Sequence, residues 1–333
     1  MKSRRIGAFE VSCISFGCMN LSHAYGAPPP EAQAERVLLE ALERGVTMFD
    51  TAALYGFGAN ETVVGKVFKA HRSRFVLASK GGLAGVTGPD GVAKRVIDGR
   101  PEAIRRNCDD SLRRLQTDVI DLYYLHRWDQ SVPIEESMGV LADLVRAGKV
   151  RALGLSEVSA ATIRRAHAVH PIVAVQSEYS LWSRNVEIGV LQACRDIGAA
   201  FVAFSPLARG FLTGTVRDVT AFEAKDIRRA MPRFEPPTYA RNMALLEGFA
   251  ALAQDAGCTM AQLALAWLLA QGDHVIALPG TTRVDHLHEN LGGASVRPGA
   301  GVLQRAGALI NQGTVVGPRY SASNQTEVDT EQF

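Results

Sequence analysis

Short apolar runs rich in β-branched and aromatic residues recur along this sequence, and a stretch with helical spacing follows each of them. Neighbouring parallel strands cannot be joined by a tight turn and need a crossover, usually a helix, so the alternation predicts a parallel sheet. The runs are Ile14–Gly17, Thr47–Phe49, Phe75–Ser79, Val119–Leu125, Ala152–Leu155, Val173–Gln176, Ala200–Phe204 and Val275–Leu278. Most of them have no polar alternation, so neither face is wet. Eight buried parallel strands predict an α/β fold of the closed (β/α)8 TIM-barrel kind. The competing architecture, an open doubly wound sheet, would carry a Gly-x-Gly-x-x-Gly turn after an early strand, and none follows the first run.

The intervening stretches carry helix signals. Ala34, Val37, Leu38, Ala41 and Leu42 share one face, and Gly45 is placed to end that helix in a left-handed turn. Ile104, Cys108, Leu112 and Leu115 form a stripe behind Pro101, which suits a first helical turn. Thr259 and Gln262 make a capping box ahead of Leu263, Leu265, Trp267 and Leu268. Residues 2–11 read as a hairpin around Gly7 that could cover the barrel bottom. The organisation expected is one barrel domain over 1–333, with 1–11 as hairpin and 296–333 as a tail. The segment Ala208–Pro237 falls outside the repeat, and loops of that length are commonly functional.

Composition narrows the function classes. A net charge of +2 with no basic stripe argues against nucleic acid, and the absence of a long apolar stretch or signal-like leader predicts a protein of the cytoplasm with no membrane partner. Five scattered cysteines without a Cys-x-x-Cys pair read as idle thiols. The histidines fall mainly on helices and loops, so no metal site is expected.

Barrel enzymes place reactive groups at the carboxyl ends of their strands. Three successive runs end in Asp50, Lys80 and His126, and Tyr55 follows Asp50 by five residues. These types suit proton delivery to a carbonyl oxygen. A tyrosine near its reference pKa of ~10 is a slow donor, and a neighbouring ammonium would lower that value while Asp50 orients Lys80. His126 as a neutral donor would fix the oxygen. An ordinary Asp50–Lys80 ion pair with Tyr55 and His126 on the rim would have the same spacing.

The order Asp50-Thr51-Ala52, Tyr55-Gly56, Asn60-Glu61, Lys80 and Leu125-His126 resembles the aldo-keto reductase superfamily, bacterial members in particular. The likeness runs from about Arg4 to Leu291. It continues through Gly154-Leu155-Ser156-Glu157, Gln176 to Ser180, Phe204-Ser205-Pro206-Leu207, Gly210-Phe211-Leu212, Pro279-Gly280-Thr281-Thr282-Arg283 and Glu289-Asn290. The resemblance implies reduction of aldehyde or ketone carbonyls by NADPH, with Asp50, Tyr55, Lys80 and His126 as the catalytic tetrad. It implies a cofactor site for NADPH/NADP+ from Gly17, Met19, Asp50, Ser156, Gln176, Phe204, Ser205, Pro206, Leu207, Gly210, Leu212, Gly280, Thr281, Thr282, Arg283, Glu289 and Asn290. Ser156 and Gln176 would bind the nicotinamide carboxamide and Phe204 would stack on its ring. Ser205 to Leu212 would wrap the pyrophosphate with backbone amides. Thr281 to Asn290 would hold the adenosine, with Arg283 reading a 2′-phosphate.

The partner expected is a small-molecule carbonyl compound. Its pocket would be walled by Leu21–Pro30, Arg127–Pro133, Ala208–Pro237 and the tail, with Tyr25, Phe57 and Trp128 hinting at an aromatic or apolar aldehyde. The rival function is a nicotinamide-binding regulatory module of the kind that potassium-channel β-subunits represent, and oligomeric state is not legible.

Overall fold

The computed structural model describes every residue except 89, 90 and 92. An N-terminal hairpin pairs β1 (Ser3–Ile6) with β2 (Phe9–Ser12). Then come β3 (Phe16–Gly17), α1 (Glu31–Glu43), β4 (Met48–Asp50), α2 (Ala59–Phe68) and β5 (Val76–Gly81). A second hairpin, β6 (Leu83–Thr87) with β7 (Ala93–Ile97), precedes α3 (Pro101–Leu115). The chain continues through β8 (Ile120–Leu125), α4 (Ile134–Arg146), β9 (Val150–Ser156), α5 (Ala160–Val169), β10 (Ile172–Glu178), α6 (Val190–Ile197) and β11 (Ala200–Phe204). Helices α7 (Pro236–Asp255) and α8 (Met260–Leu269) lead to β12 (Val275–Leu278), followed by α9 (Val284–Gly292), α10 (Ala300–Leu309) and α11 (Ala322–Gln325).

The main sheet has eight parallel strands in the order β12-β11-β10-β9-β8-β5-β4-β3. The N–H of Ser15 donates to Ala277 (2.9 Å), that of Ala277 to Cys13 (3.0 Å) and that of Gly17 to Pro279 (3.0 Å), which joins the first strand to the last. The result is the expected (β/α)8 barrel. All eight predicted strands are present, with β10 running on to Glu178.

Local chemistry accounts for the helices. The five residues of the predicted apolar face of α1 are all buried, and Gly45 takes φ +83° with nothing near its Cβ position, so it is the conformation and not space that calls for glycine. Pro101 opens α3, and Thr259 with Gln262 closes a full capping box on α8. No helix among the described residues is long and apolar enough to cross a membrane.

Inside the barrel, Met48, Val76, Ala78, Leu122, Tyr124, Ala174, Ala200, Val202 and Ile276 pack together, and Ile6 and Val11 of the hairpin plug the bottom. Strand side chains alternate with period two. Continuing this inward set one step up each strand gives Asp50, Lys80, His126, Gln176 and Phe204, so the packing that fills the barrel also aims these polar groups at its upper mouth. The tail is more structured than a loop: α10 packs on α7 and α8, and residues beyond it return to the mouth.

Candidate active site

At that mouth lies a cavity of about 730 Å³, in the size range of ligand pockets. Lys80 is fully buried behind its floor. The Lys80 ammonium forms an ion pair with Asp50 Oδ1 and donates to the Thr51 carbonyl (2.9 Å) and the Tyr55 hydroxyl (3.2 Å). Gln176 Nε2 donates to the other Asp50 oxygen at 2.9 Å. Burial alone would discharge Lys80, but Asp50 and Tyr55 together outweigh it and hold the ammonium above its ordinary pKa. The phenol of Tyr55 is therefore tied to a permanent cation, and its ring lies 5.8 Å from that of His126 in an edge-to-face contact.

Burial drives His126 well below the usual histidine range, with the neighbouring cations Arg127 and Lys80 adding to the effect. The ring is neutral, and its buried Nδ1 has no partner among the described residues. For Tyr55 the expectation from adjacency has the wrong sign. Burial raises its pKa more than Lys80 lowers it, and Asp50 pushes the same way as burial, so the hydroxyl stands above ~10.

The other sequence-predicted residues are largely gathered around the same cavity. Gly17, Met19, Asp50, Ser156, Gln176, Phe204, Ser205, Leu207 and Gly210 line it, as do Gly280, Thr281, Thr282, Arg283, Glu289 and Asn290. Pro206 and Leu212 do not. Leu212 lies wholly in the core, and its N–H donates to the Leu207 carbonyl at 3.2 Å, because the 208–213 segment coils into tight 3-10 turns. The amides of Ala208 and Gly210 are likewise taken, by Ser205 (2.9 Å) and Leu207 (3.1 Å), so fewer amides of this loop are free than a wrapping loop would offer. Ser205, Ala208 and Arg209 all have positive φ, a concentration of backbone strain beside the cavity.

At the far end α9 begins at Val284, so Thr281–Arg283 form its approach, with Thr281 Oγ1 accepting from the Arg283 N–H at 3.1 Å. A Cβ on Gly280 would come within 2.6 Å of the Gly17 carbonyl, so only glycine lets this turn close on the first strand. The Arg283 guanidinium is exposed and paired with Asp285.

A sequence profile described as the aldo/keto reductase family matches residues 13–298. The chain belongs to the aldo/keto reductase family. A Glycine max protein named "Probable aldo-keto reductase 1" is 44% identical over 315 residues, covering 94% of this chain and 89% of the relative. Among solved structures, the glycerol dehydrogenase of Gluconobacter oxydans is similar with a TM-score of 0.83 and 30% identity, covering 96% of this chain and 99% of that one. An aldo/keto reductase from Klebsiella pneumoniae, in complex with NADP and acetate, has a TM-score of 0.73 and 26% identity over 96% of this chain and 99% of its own.

The cavity of this aldo/keto reductase has walls from the segments expected and from one that the sequence reading did not name. The unnamed one is the β6–β7 hairpin, which gives Leu83 and Arg95; within the expected walls His23 comes from Leu21–Pro30, Arg127 from Arg127–Pro133, and Tyr320, Asn324, Glu327 and Val328 from the tail. Tyr25 and Phe57 line it as expected, whereas Trp128 turns away: its indole N–H donates to the Val132 carbonyl (2.9 Å) and Arg165 covers its ring. The signal for Arg127 lay in its place beside a strand-end histidine; nothing local marked Leu83 or Arg95.

Proposed function

We propose that this aldo/keto reductase reduces aldehyde or ketone carbonyls to alcohols with NADPH, with Tyr55 as the proton donor. The observation that carries the reading is the buried Asp50–Lys80–Tyr55 contact chain opening into the cavity beside a neutral His126. As the substrate oxygen gains negative charge, Tyr55 gives up its proton, and the Lys80 cation 3.2 Å away stabilises the phenolate left behind. Asp50 keeps Lys80 charged and aimed, and is itself held by Gln176. His126, uncharged, is available to hydrogen-bond the oxygen without competing for the proton.

A bound NADPH supplies the hydride. The cavity fits such a cofactor: it runs from the tetrad to the start of α9, and Gly17, Ser156, Gln176, Gly280, Thr281 and Asn290 all line it. Ser156, Gln176 and Phe204 would hold the nicotinamide, and Thr281 to Asn290 the adenosine. The Klebsiella pneumoniae relative's complex with NADP supports this choice.

NADPH oxidation across a panel of aldehydes and ketones tests the reading, with multiple turnovers expected. Tyr55→Phe should lower kcat by about 10²- to 10⁴-fold, the usual scale of a lost general acid, while NADPH still binds. Retention of most activity in that variant would remove Tyr55 from the role.

A further inference from the structure

Five arginines line the cavity: Arg95, Arg127, Arg209, Arg228 and Arg283. Four of them already hold a carboxylate, since Arg95 pairs with Glu327, Arg209 with Glu178 (2.9 Å), Arg228 with Asp226 (2.6 Å) and Arg283 with Asp285 (2.5 Å). Arg127 is different. Its Nη1 donates to the His126 carbonyl (2.7 Å) and the Ser156 hydroxyl (3.3 Å), and its Nε is buried with no acceptor. Among the described residues it has no acidic partner within 4.0 Å.

A guanidinium does not escape this situation by losing its proton, because its pKa is too high. A half-buried cation without an acidic partner is costly unless an anion completes it, and the cavity that Arg127 lines is where one can reach its Nη groups. Arg127 directly follows His126, and its charge is felt at both His126 and Tyr55. Among the other walls, Tyr25, Phe57, Leu83, Tyr320 and Val328 suit a short carbon chain, and the lining carboxylate of Glu327 is taken by Arg95.

Building on the carbonyl-reduction reading, we propose that Arg127 is a substrate-binding residue that recognises a carboxylate, so that the preferred substrates are short oxo acids. The carboxylate lies on the Arg127 fork while the carbonyl, a few bonds away, meets Tyr55 and His126. Planar bidentate recognition of carboxylate is what a guanidinium does best, and no other lining arginine is free for it. The rival occupant of the same donors is the carboxamide oxygen of the nicotinamide, since Ser156 is shared.

The experiment compares succinic semialdehyde with its methyl ester in wild type, Arg127→Met, Arg127→Gln and Arg127→Lys, and titrates NADPH into each. Wild type should show the lower KM for the acid. In Arg127→Met and Arg127→Gln the ratio of acid KM to ester KM should rise about 10- to 100-fold, the scale of a hydrogen bond to a charged group. Lysine, a point charge without the fork, should restore part of it. A wild-type enzyme indifferent to the charge, or variants that lose acid and ester alike or lose NADPH affinity by a similar factor, would overturn the proposal and assign Arg127 to the cofactor or the wall. Binding of 4-hydroxybutyrate against 4-hydroxybutyramide to the NADP+ complex reads the same selectivity without turnover. Absence of any carbonyl turnover would therefore sink the reductase reading alone, while loss of charge-selective binding would sink this one.

Discussion

Burial and charge pull the Tyr55 hydroxyl in opposite directions, and burial wins. The role of Lys80 is thus not to make a low-pKa phenol. It holds the hydroxyl at 3.2 Å and meets the negative charge that appears as the proton leaves. Both reacting groups then sit away from neutrality in the favourable sense: Tyr55 stays protonated because its pKa is raised, and His126 stays neutral because its pKa is depressed. Reduction should therefore have a flat kcat profile from about pH 6 to about pH 9, with no inflection near the ordinary histidine value of ~6.5. Lys80→Met removes the cation from Tyr55 and leaves Asp50 an uncompensated buried carboxylate, so its kcat should fall by about 10²-fold or more across that range. Stopped-flow or steady-state profiles of both proteins decide the matter. A wild-type limb near pH 6.5 would mean that His126 titrates in the working enzyme, and a Lys80→Met rate equal to wild type would break the coupling to Tyr55.

Helix α9 meets the cavity through the turn at Gly280–Arg283, and there the proposed phosphate anchor is already occupied, because Arg283 and Asp285 form an exposed ion pair. A 2′-phosphate must displace Asp285 to use the Nε–Nη2 edge of the guanidinium. Arg283→Ala should weaken NADPH binding by about tenfold and leave NADH nearly unchanged, whereas Asp285→Asn should tighten NADPH a few-fold at low salt. Titrating both cofactors into both variants checks this, and parallel losses for NADH and NADPH would mean that Arg283 shapes the turn without reading phosphate. Elements of this kind were legible in advance because their signals are local: Gly45, Pro101 and the Thr259–Gln262 box each act within a few residues. The inward-facing polar set at strand ends was legible for the same reason, as period-two continuation. The β6–β7 hairpin was not. It pairs only with itself, and the glycines at 81, 82, 85, 88 and 91 erase its hydrophobic alternation. Nor could the sign of the Tyr55 shift be read, since depth of burial is a property of the closed barrel and not of spacing.

The tail returns to the top of the molecule, and charged contacts hold it there. Arg319 forms a buried ion pair with Glu157, just past the end of β9. Asp329 accepts from the Ser159 N–H (3.1 Å) and hydroxyl (2.9 Å) and from the Thr162 hydroxyl (2.6 Å) at the start of α5, while Glu331 accepts from the Ala160 N–H at 2.8 Å. Glu327 pairs with Arg95 and so ties the tail to the second hairpin across the cavity rim. Beneath these contacts Glu178 meets Arg209 at 2.9 Å and Ser183 at 2.9 Å, with Arg233 and Arg319 close enough to act on it. Burial should raise the Glu178 carboxyl, yet these arginines outweigh it and hold the pKa below the ordinary value. A carboxyl with a depressed folded-state pKa adds stability that is fully present above its unfolded value of ~4.3 and is lost as pH falls through the folded one. Glu178→Gln should therefore cost about 3–5 kcal/mol at pH 7, where it strands Arg209 and burdens Arg233, and should make the loss of stability below about pH 4.3 shallower than in wild type. Urea unfolding of both proteins between about pH 3 and pH 7 measures both quantities. A variant as stable as wild type at pH 7, or one with an unchanged acid slope, would mean that the charges under the tail are balanced by neighbours other than Glu178.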